Sequence, residues 1–308
     1  MARSAGGVSP LNPLIEKEGK IKNAGFRLNL LEDGIVALSG TTTDTPELDA
    51  QILMSHALGI TRISLLANPP EKLTSTDEKL FWELITRRAA GEPVAYLTGH
   101  KDFYKHAFLV NRSTLIPRPE TEILVEETLR RFTAAKAIRL LDIGTGCGCI
   151  ALSLAAERPD WEITATDISG NALAVAKENG KELGIKNVEF SHSNLFDNVQ
   201  GKFDAIVSNP PYVDIKEKQN LQIELRDYEP ESALFTTDGG LKVIGKLIRE
   251  TPAFLNGGGT FFCEIGYGQR DLVEALFDKN IWTQIVFHRD LAGHMRVVSA
   301  VFKSVVNG

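Results

Sequence analysis

No stretch of the chain approaches the roughly 18 uninterrupted apolar residues that a membrane-spanning helix needs, so no membrane association is expected. Residues 1–20 lack a charged start followed by an apolar core, and Arg3 with Glu16 supports an organelle transit peptide only weakly; a cytoplasmic protein is expected. Cysteine is scarce. Three residues, two of them crowded at Cys147 and Cys149, make neither a disulfide framework nor a four-ligand zinc site, and they fit a reducing compartment. His100, His106, His192, His288 and His294 are scattered without ligand spacing, so no metal is expected. Excess positive charge is missing as well. A formal net charge of -6 argues against a broad footprint for duplex nucleic acid, because such binding releases counterions from many phosphates.

What is present describes a folded protein, since 43% hydrophobic and 24% charged residues lie near the average for globular chains. A length of 308 residues exceeds one usual domain, which predicts two. Residues 1–90 show apolar side chains at helical spacing, as in Leu48, Ile52, Leu53 and Ala57 and again in Leu80, Phe81, Leu84 and Ile85. Thr45 before Pro46 reads as a helix start and Gly59 as its stop; Ser75 or Thr76 reads as a second start, with Asp77 and Glu78 complementing the helix dipole. Gly91-Glu92-Pro93 ends that helix and marks a boundary. Glycines and aromatics then alternate (Tyr96, Gly99, Phe103, Tyr104, Phe108), which predicts a hairpin linker over 91–116.

Residues 117–308 form the second domain. From Ile138 onward short β-rich runs alternate with helical segments: 139–143 then 150–156, 162–166 then 172–183, 188–191, and 205–208. That alternation predicts an α/β, Rossmann-like fold with a parallel sheet. Runs at 259–265, 281–288 and 296–302 raise the expected sheet to about seven strands.

The segment Asp142-Ile143-Gly144-Thr145-Gly146-Cys147-Gly148 follows a strand and opens a helix, and its glycines let backbone approach a ligand closely. Tight structural turning explains such glycines equally well. Asp167 ends the next strand, where a carboxylate accepts from the ribose hydroxyls of an adenosine moiety. A dinucleotide oxidoreductase would share these features, but Asp142 suits a cationic ligand, such as a sulfonium, better than a pyrophosphate.

A further strand ends in Asn209-Pro210-Pro211-Tyr212, the candidate catalytic residues. Proline has a carbonyl and no N–H, so the segment offers acceptors, the Asn209 side-chain oxygen and the Pro210 carbonyl, matched to a planar NH2 group. Consecutive prolines hold the backbone extended and fix those acceptors before substrate arrives. Proton loss can follow carbon–nitrogen bond formation, so no base is needed there. The bland alternative is a proline-rich turn after a strand.

At these residues the chain closely resembles the HemK/PrmC family, protein-(glutamine-N5) methyltransferases that act on class 1 peptide chain release factors. The similarity covers most of the chain, including Gly91 to Gly99, Leu115 to Glu122, the glycine loop, Asp167, Asn209 to Tyr212, Tyr228-Glu229-Pro230, Asp238 to Leu241, Glu264 to Gln269 and Asp290 to Gly293. The resemblance implies an N-terminal helical bundle that recognises substrate, a β-hairpin linker and a class I methyltransferase domain using S-adenosylmethionine. It implies that Gly144, Thr145, Gly146, Cys147 and Gly148 cradle the methionine part of the cofactor and that Asp167 binds its ribose. Asn209 then binds the substrate glutamine beside the methyl group, with Pro210, Pro211 and Tyr212 completing the pocket. Family members often carry aspartate where this chain has Asn194, whose oxygen still accepts from the adenine amino group, and Leu195 packs on the ring. Arg118 lies in a segment that covers the cofactor site in the family, and is equally an N-cap before Pro119 to Glu122. The protein partner is a release factor, with no stable nucleic acid and a monomeric state expected. Three alternatives remain: a glutamine methyltransferase of a ribosomal protein, an adenine-N6 nucleic-acid methyltransferase, and a cofactor-binding module without catalysis.

Overall fold

A computed structural model describes residues 26–70, 72–134 and 137–303, with backbone alone at 26–29. The residues that bear on a leader segment lie outside this range. The chain divides into two compact units, one ending at Ala90 and one beginning at Gly91.

The first unit contains α1 (Phe26–Ser39), α2 (Pro46–Leu58), α3 (Arg62–Ala67) and α4 (Ser75–Ala89). Leu38, Leu53, Met54, Phe81, Leu84 and Ile85 are buried, while Leu48 and Leu80 lie outside this core. Gly34 lets α1 lie directly on α4, since a Cβ there would stand 2.5 Å from Phe81 Cζ. Gly59 closes α2 in the left-handed region as expected. The α4 start differs by one residue from expectation. Thr74 is the N-cap, and with Asp77 it forms a reciprocal capping box that satisfies two otherwise unpaired amides. Thr45 precedes α2 without capping it; its hydroxyl donates to Asp49 Oδ1 at 3.0 Å instead. Asp49 is buried, and its Oδ2 also accepts from Arg88 Nε at 2.7 Å, tying α2 to α4.

In the second unit, Val94–Thr98 is a short helix (α5), where the sequence suggested hairpin, because Gly91 and Gly99 bound one helical turn rather than two strand ends. The hairpin follows: β1 (His100–Phe103) pairs antiparallel with β2 (His106–Leu109), with Tyr104 at φ 56° in the turn. Then come α6 (Glu122–Arg131), β3 (Arg139–Ile143), α7 (Cys149–Glu157), β4 (Glu162–Asp167), α8 (Gly170–Glu182), β5 (Val188–His192) and β6 (Phe203–Ser208). Short β7 (Val213–Asp214) pairs parallel with β8 (Phe235–Thr236), which follows α9 (Glu231–Leu234). The chain continues through α10 (Lys242–Glu250), β9 (Leu255–Glu264), α11 (Arg270–Glu274), β10 (Trp282–Arg289) and β11 (Met295–Phe302).

Seven strands form one sheet in the order β10-β11-β9-β6-β3-β4-β5, parallel except for β11. Its central strands are buried on both faces, which explains their nearly continuous apolar runs. Leu140, Ala205 and Val207 face a core built with α6, α7 and the hairpin. Leu141, Ile143 and Ile206 face the opposite core with Ile244, Leu247 and Ile248 of α10. Successive crossovers leave β3 in opposite directions, so a crevice opens at the carboxyl ends of β3 and β6, where open α/β sheets bind ligands.

Candidate active site

A cavity of about 430 Å³ occupies this crevice, within the usual range for small-molecule sites. Its floor is the glycine loop after β3. Gly144 and Thr145 donate backbone N–H groups to Thr166 O at 2.8 and 2.9 Å, folding the loop over the end of β4. Gly144 and Gly146 adopt φ 75° and 57°, conformations that favour glycine. A Cβ on either would meet nothing within 4 Å, so the space beside the loop is open. Gly148 has a different reason to be glycine: a Cβ there would stand 2.9 Å from Leu152 Cδ1 and 3.2 Å from Ala176 Cβ, where α7 meets α8.

Asp167 reaches the cavity from the end of β4. Its Oδ2 accepts from Gly146 N at 2.9 Å and its Oδ1 from Ser169 N at 2.8 Å, which fixes the carboxylate and leaves lone pairs for hydroxyl donors. Burial raises its pKa, opposed by these backbone donors. Asn194 and Leu195 line the far end, Leu195 at φ 52°. Asn194 Nδ2 donates to Asp197 Oδ2 at 3.1 Å, leaving its oxygen as an acceptor. Cys147 and Cys149 line the cavity as reduced, buried thiols.

Asp142 is placed differently from the residues that border the cavity. It is fully buried beneath the loop, with Oδ2 accepting from Thr145 Oγ1 at 2.7 Å and Oδ1 unpartnered. Desolvation pushes its pKa up to about 7. The carboxylate therefore braces the loop from below and does not line the cavity.

The Asn209 to Tyr212 segment leaves β6 at the opposite wall. Ser208 Oγ donates to Ile143 O at 2.8 Å and pins this exit to the end of β3. Asn209, Pro210 and Pro211 line the cavity. Asn209 Nδ2 donates to Thr121 Oγ1 at 3.1 Å, so Oδ1 is the free acceptor. The Tyr212 side chain, half-buried and not part of the cavity lining, donates its hydroxyl to Glu264 Oε1 at 3.0 Å, and desolvation pushes its pKa up. Its contribution to the wall is through the backbone: Tyr212 O accepts from Gln269 Nε2 at 3.0 Å, which locks the segment in place.

A strap from Thr114 to Arg118 covers the cavity. Ile116 N donates to Glu229 Oε2 at 3.0 Å, Arg118 pairs with Glu229 Oε1, and Tyr96 donates to Thr114 O at 2.6 Å. Arg118 is also the N-cap of the turn Pro119–Thr121, so it covers the site and opens the turn before α6. Three contributors escaped the sequence: Thr121, Glu264 as the partner of Tyr212, and Asn179. Asn179 is buried in α8, accepts from Leu109 N at 2.7 Å, and donates to Leu109 O and Cys147 O at 3.0 and 2.9 Å. It joins the hairpin to the glycine loop. The one legible signal was an amide on the apolar face with Ala172, Leu173 and Ala176. Among the described residues no His, Cys, Asp or Glu cluster is arranged to hold a metal, and no helix is long and apolar enough to cross a membrane.

Residues 119–256 match the model of the methyltransferase small domain and residues 29–99 that of the PrmC N-terminal domain. The fold is shared with the hMettl16 catalytic domain in complex with MAT2A 3'UTR hairpin 6, at 16% identity and a TM-score of 0.52, over 64% of this chain and 74% of that one. Fold and family model together define a class I methyltransferase. The chain is 39% identical to the release factor glutamine methyltransferase of Salmonella typhimurium, over 84% of its own length and 94% of the relative's. It is 41% identical to the enzyme of that name from Buchnera aphidicola subsp. Schizaphis graminum, over 82% and 92%. It spans about half (53%) of the bifunctional methyltransferase of Rickettsia bellii, at 36% identity over 87% of this chain. The chain belongs to the release factor glutamine methyltransferase family.

Proposed function

We propose that this protein transfers a methyl group from S-adenosylmethionine to the side-chain amide nitrogen of the glutamine in the Gly-Gly-Gln motif of class 1 peptide chain release factors. The observation that carries the chemistry is the committed amide of Asn209. With Nδ2 donating to Thr121, Asn209 keeps Oδ1 as an acceptor, and Asn209 and Pro210 line the same cavity as the glycine loop, which makes Oδ1 and the Pro210 carbonyl the acceptor pair of this reading. The relatives' names support the protein substrate.

The cavity fits the cofactor by its donor set. Asp167 and its fixed lone pairs suit ribose hydroxyls, the Asn194 oxygen suits the adenine amino group, and the open space beside Gly144 and Gly146 receives the methionine part. Cys147 and Gly148 continue that cradle, Leu195 packs on the base, and Asp142 biases the site toward positive charge. Bound there, S-adenosylmethionine supplies an electrophilic methyl group on a sulfonium. The protein must make a poor nucleophile reactive, because an amide lone pair is delocalised. Accepting both N–H bonds at Asn209 Oδ1 and Pro210 O orients that nitrogen and favours the positive charge that develops on it as the carbon–nitrogen bond forms. Pro211 and the Tyr212 backbone clamp hold the acceptors still. The surplus proton leaves after bond formation, so the tetrapeptide needs no base.

The first unit acts as the recognition surface for the release factor, Gly91 to Ile116 serves as linker, and the enzyme works as a cytoplasmic monomer without stable nucleic acid. The test offers labelled S-adenosylmethionine with a release factor, its Gly-Gly-Gln glutamine-to-alanine variant, ribosomal protein and DNA in parallel. Label on the intact release factor alone is expected; label on DNA alone contradicts the proposal. Removing residues 1–85 should slow methylation of the whole factor more than that of a short glutamine peptide, and equal slowing contradicts the recognition role.

A further inference from the structure

Glu264 ends β9 with 1% of its surface exposed, in a position that no acceptor or donor role toward substrate explains. Its Oε1 accepts from the Tyr212 hydroxyl at 3.0 Å, and its Oε2 has no partner that meets hydrogen-bond geometry. The hydroxyl of Thr121, 2% exposed, lies beside this carboxylate and favours its charged form. The same hydroxyl oxygen accepts from Asn209 Nδ2. A chain of polar groups thus runs from Glu264 through Thr121 to the Asn209 carboxamide.

We propose that Glu264 is a positioning residue which, through the Thr121 hydroxyl, fixes the Asn209 carboxamide with its oxygen toward the substrate amide. Proton bookkeeping makes this directional. An ionised carboxylate only accepts, and a hydroxyl has one proton to give. When Thr121 gives that proton to Glu264, its oxygen is left to accept, so the Asn209 NH2 turns to Thr121 and Oδ1 turns to the cavity. When Glu264 is neutral, it donates. Thr121 is then released to donate toward Asn209, the carboxamide turns over, and an NH2 meets the NH2 of the substrate.

The charged groups around Glu264 come from each element packed on it. Arg296 of β11 and the Tyr212 hydroxyl favour the ionised form, as Thr121 does, while Glu120 and burial oppose it; Cys263 beside it on β9 is a buried thiol held well above its usual pKa. Burial dominates and places the Glu264 pKa at about 7. The aligned state is therefore present above that value and lost as pH falls through it.

The proposal rests on the methyl-transfer reaction proposed above, but its first test needs no substrate. In the ligand-free full-length chain, the Asn209 side-chain NH2 resonances, assigned by their loss in Asn209→Asp, are followed from about pH 5.5 to about pH 8.5. They should shift with a midpoint near that of Glu264 in the wild type and stay flat in Glu264→Gln and Thr121→Val. Flat resonances in the wild type, or an unchanged titration in Glu264→Gln, overturn the proposal. With release factor as substrate, Thr121→Val should lower kcat about 10²-fold, the usual cost of a misplaced group. KM for S-adenosylmethionine should stay within about 2-fold, and Thr121→Ser should recover most of the loss. Thr121→Val with wild-type kcat also overturns it.

Discussion

In the proposed reaction the Asn209 carboxamide serves transfer rather than cofactor binding. Asn209→Ala should lower kcat by roughly 10²- to 10³-fold, the scale seen when one preorganised polar contact is removed, while cofactor affinity, measured by calorimetry, largely survives. Unchanged turnover would refute the role. Asp142 makes a prediction of the opposite kind, about stability. Its folded pKa, about 7, lies above the ordinary carboxylate value because burial disfavours the charge. The folded state thus binds its proton more tightly than the unfolded state does. Stability from this group is full below the ordinary carboxylate pKa and is lost as pH rises through about 7. Denaturant titrations should show Asp142→Asn faring better relative to wild type at pH 8 than at pH 5; the reverse order would contradict the burial argument. Asn209 and Asp167 stand out in the sequence as candidates because unusual residues at strand ends are conspicuous. Thr121 was not, because nothing local marks a threonine in a proline- and glutamate-rich turn as the partner of a strand exit 88 residues away.

Among the elements, the turns around Tyr212 and the α8 anchor carry the site. Gly240 has φ 82°, and a Cβ there would stand 2.0 Å from Tyr212 O. Gly240→Ala must displace the tetrapeptide backbone, so a loss of kcat larger than any loss of cofactor affinity is expected in steady-state and binding assays. Asn179→Leu removes three hydrogen bonds and strands the half-buried Leu109 and buried Cys147 backbone groups, which should cost about 2–4 kcal/mol in chemical denaturation. A change below about 0.5 kcal/mol would show the anchor to be dispensable. Strands β3 and β6 were readable because burial on both faces writes nearly continuous apolar runs. Element ends were less so: the α4 start moved to Thr74 because a capping box depends on the Thr74–Asp77 pair rather than on the first hydroxyl residue, and α5 hid behind glycines that suit hairpins and helix stops alike.

For the whole molecule, the order of strands decides what the motifs can do. The glycine loop and Asn209 are more than 60 residues apart in the chain, and they meet because β3 and β6 are neighbours with Ser208 bound to Ile143 at 2.8 Å. The sequence showed each motif and the alternation that implies a parallel sheet, but adjacency of these two strands is a property of topology. The acceptor pair alone would serve an adenine amine as well as an amide, so the proposed choice of substrate belongs to a larger scale still, that of a protein surface. In the proposed reaction the acceptor pair holds a protein glutamine while S-adenosylmethionine gives up its methyl group to the amide nitrogen. Tandem mass spectrometry of a release factor incubated with the enzyme and S-adenosylmethionine tests it most directly: one methyl group is predicted on the side-chain nitrogen of the Gly-Gly-Gln glutamine, and a methyl group on any other residue, or none, would contradict it.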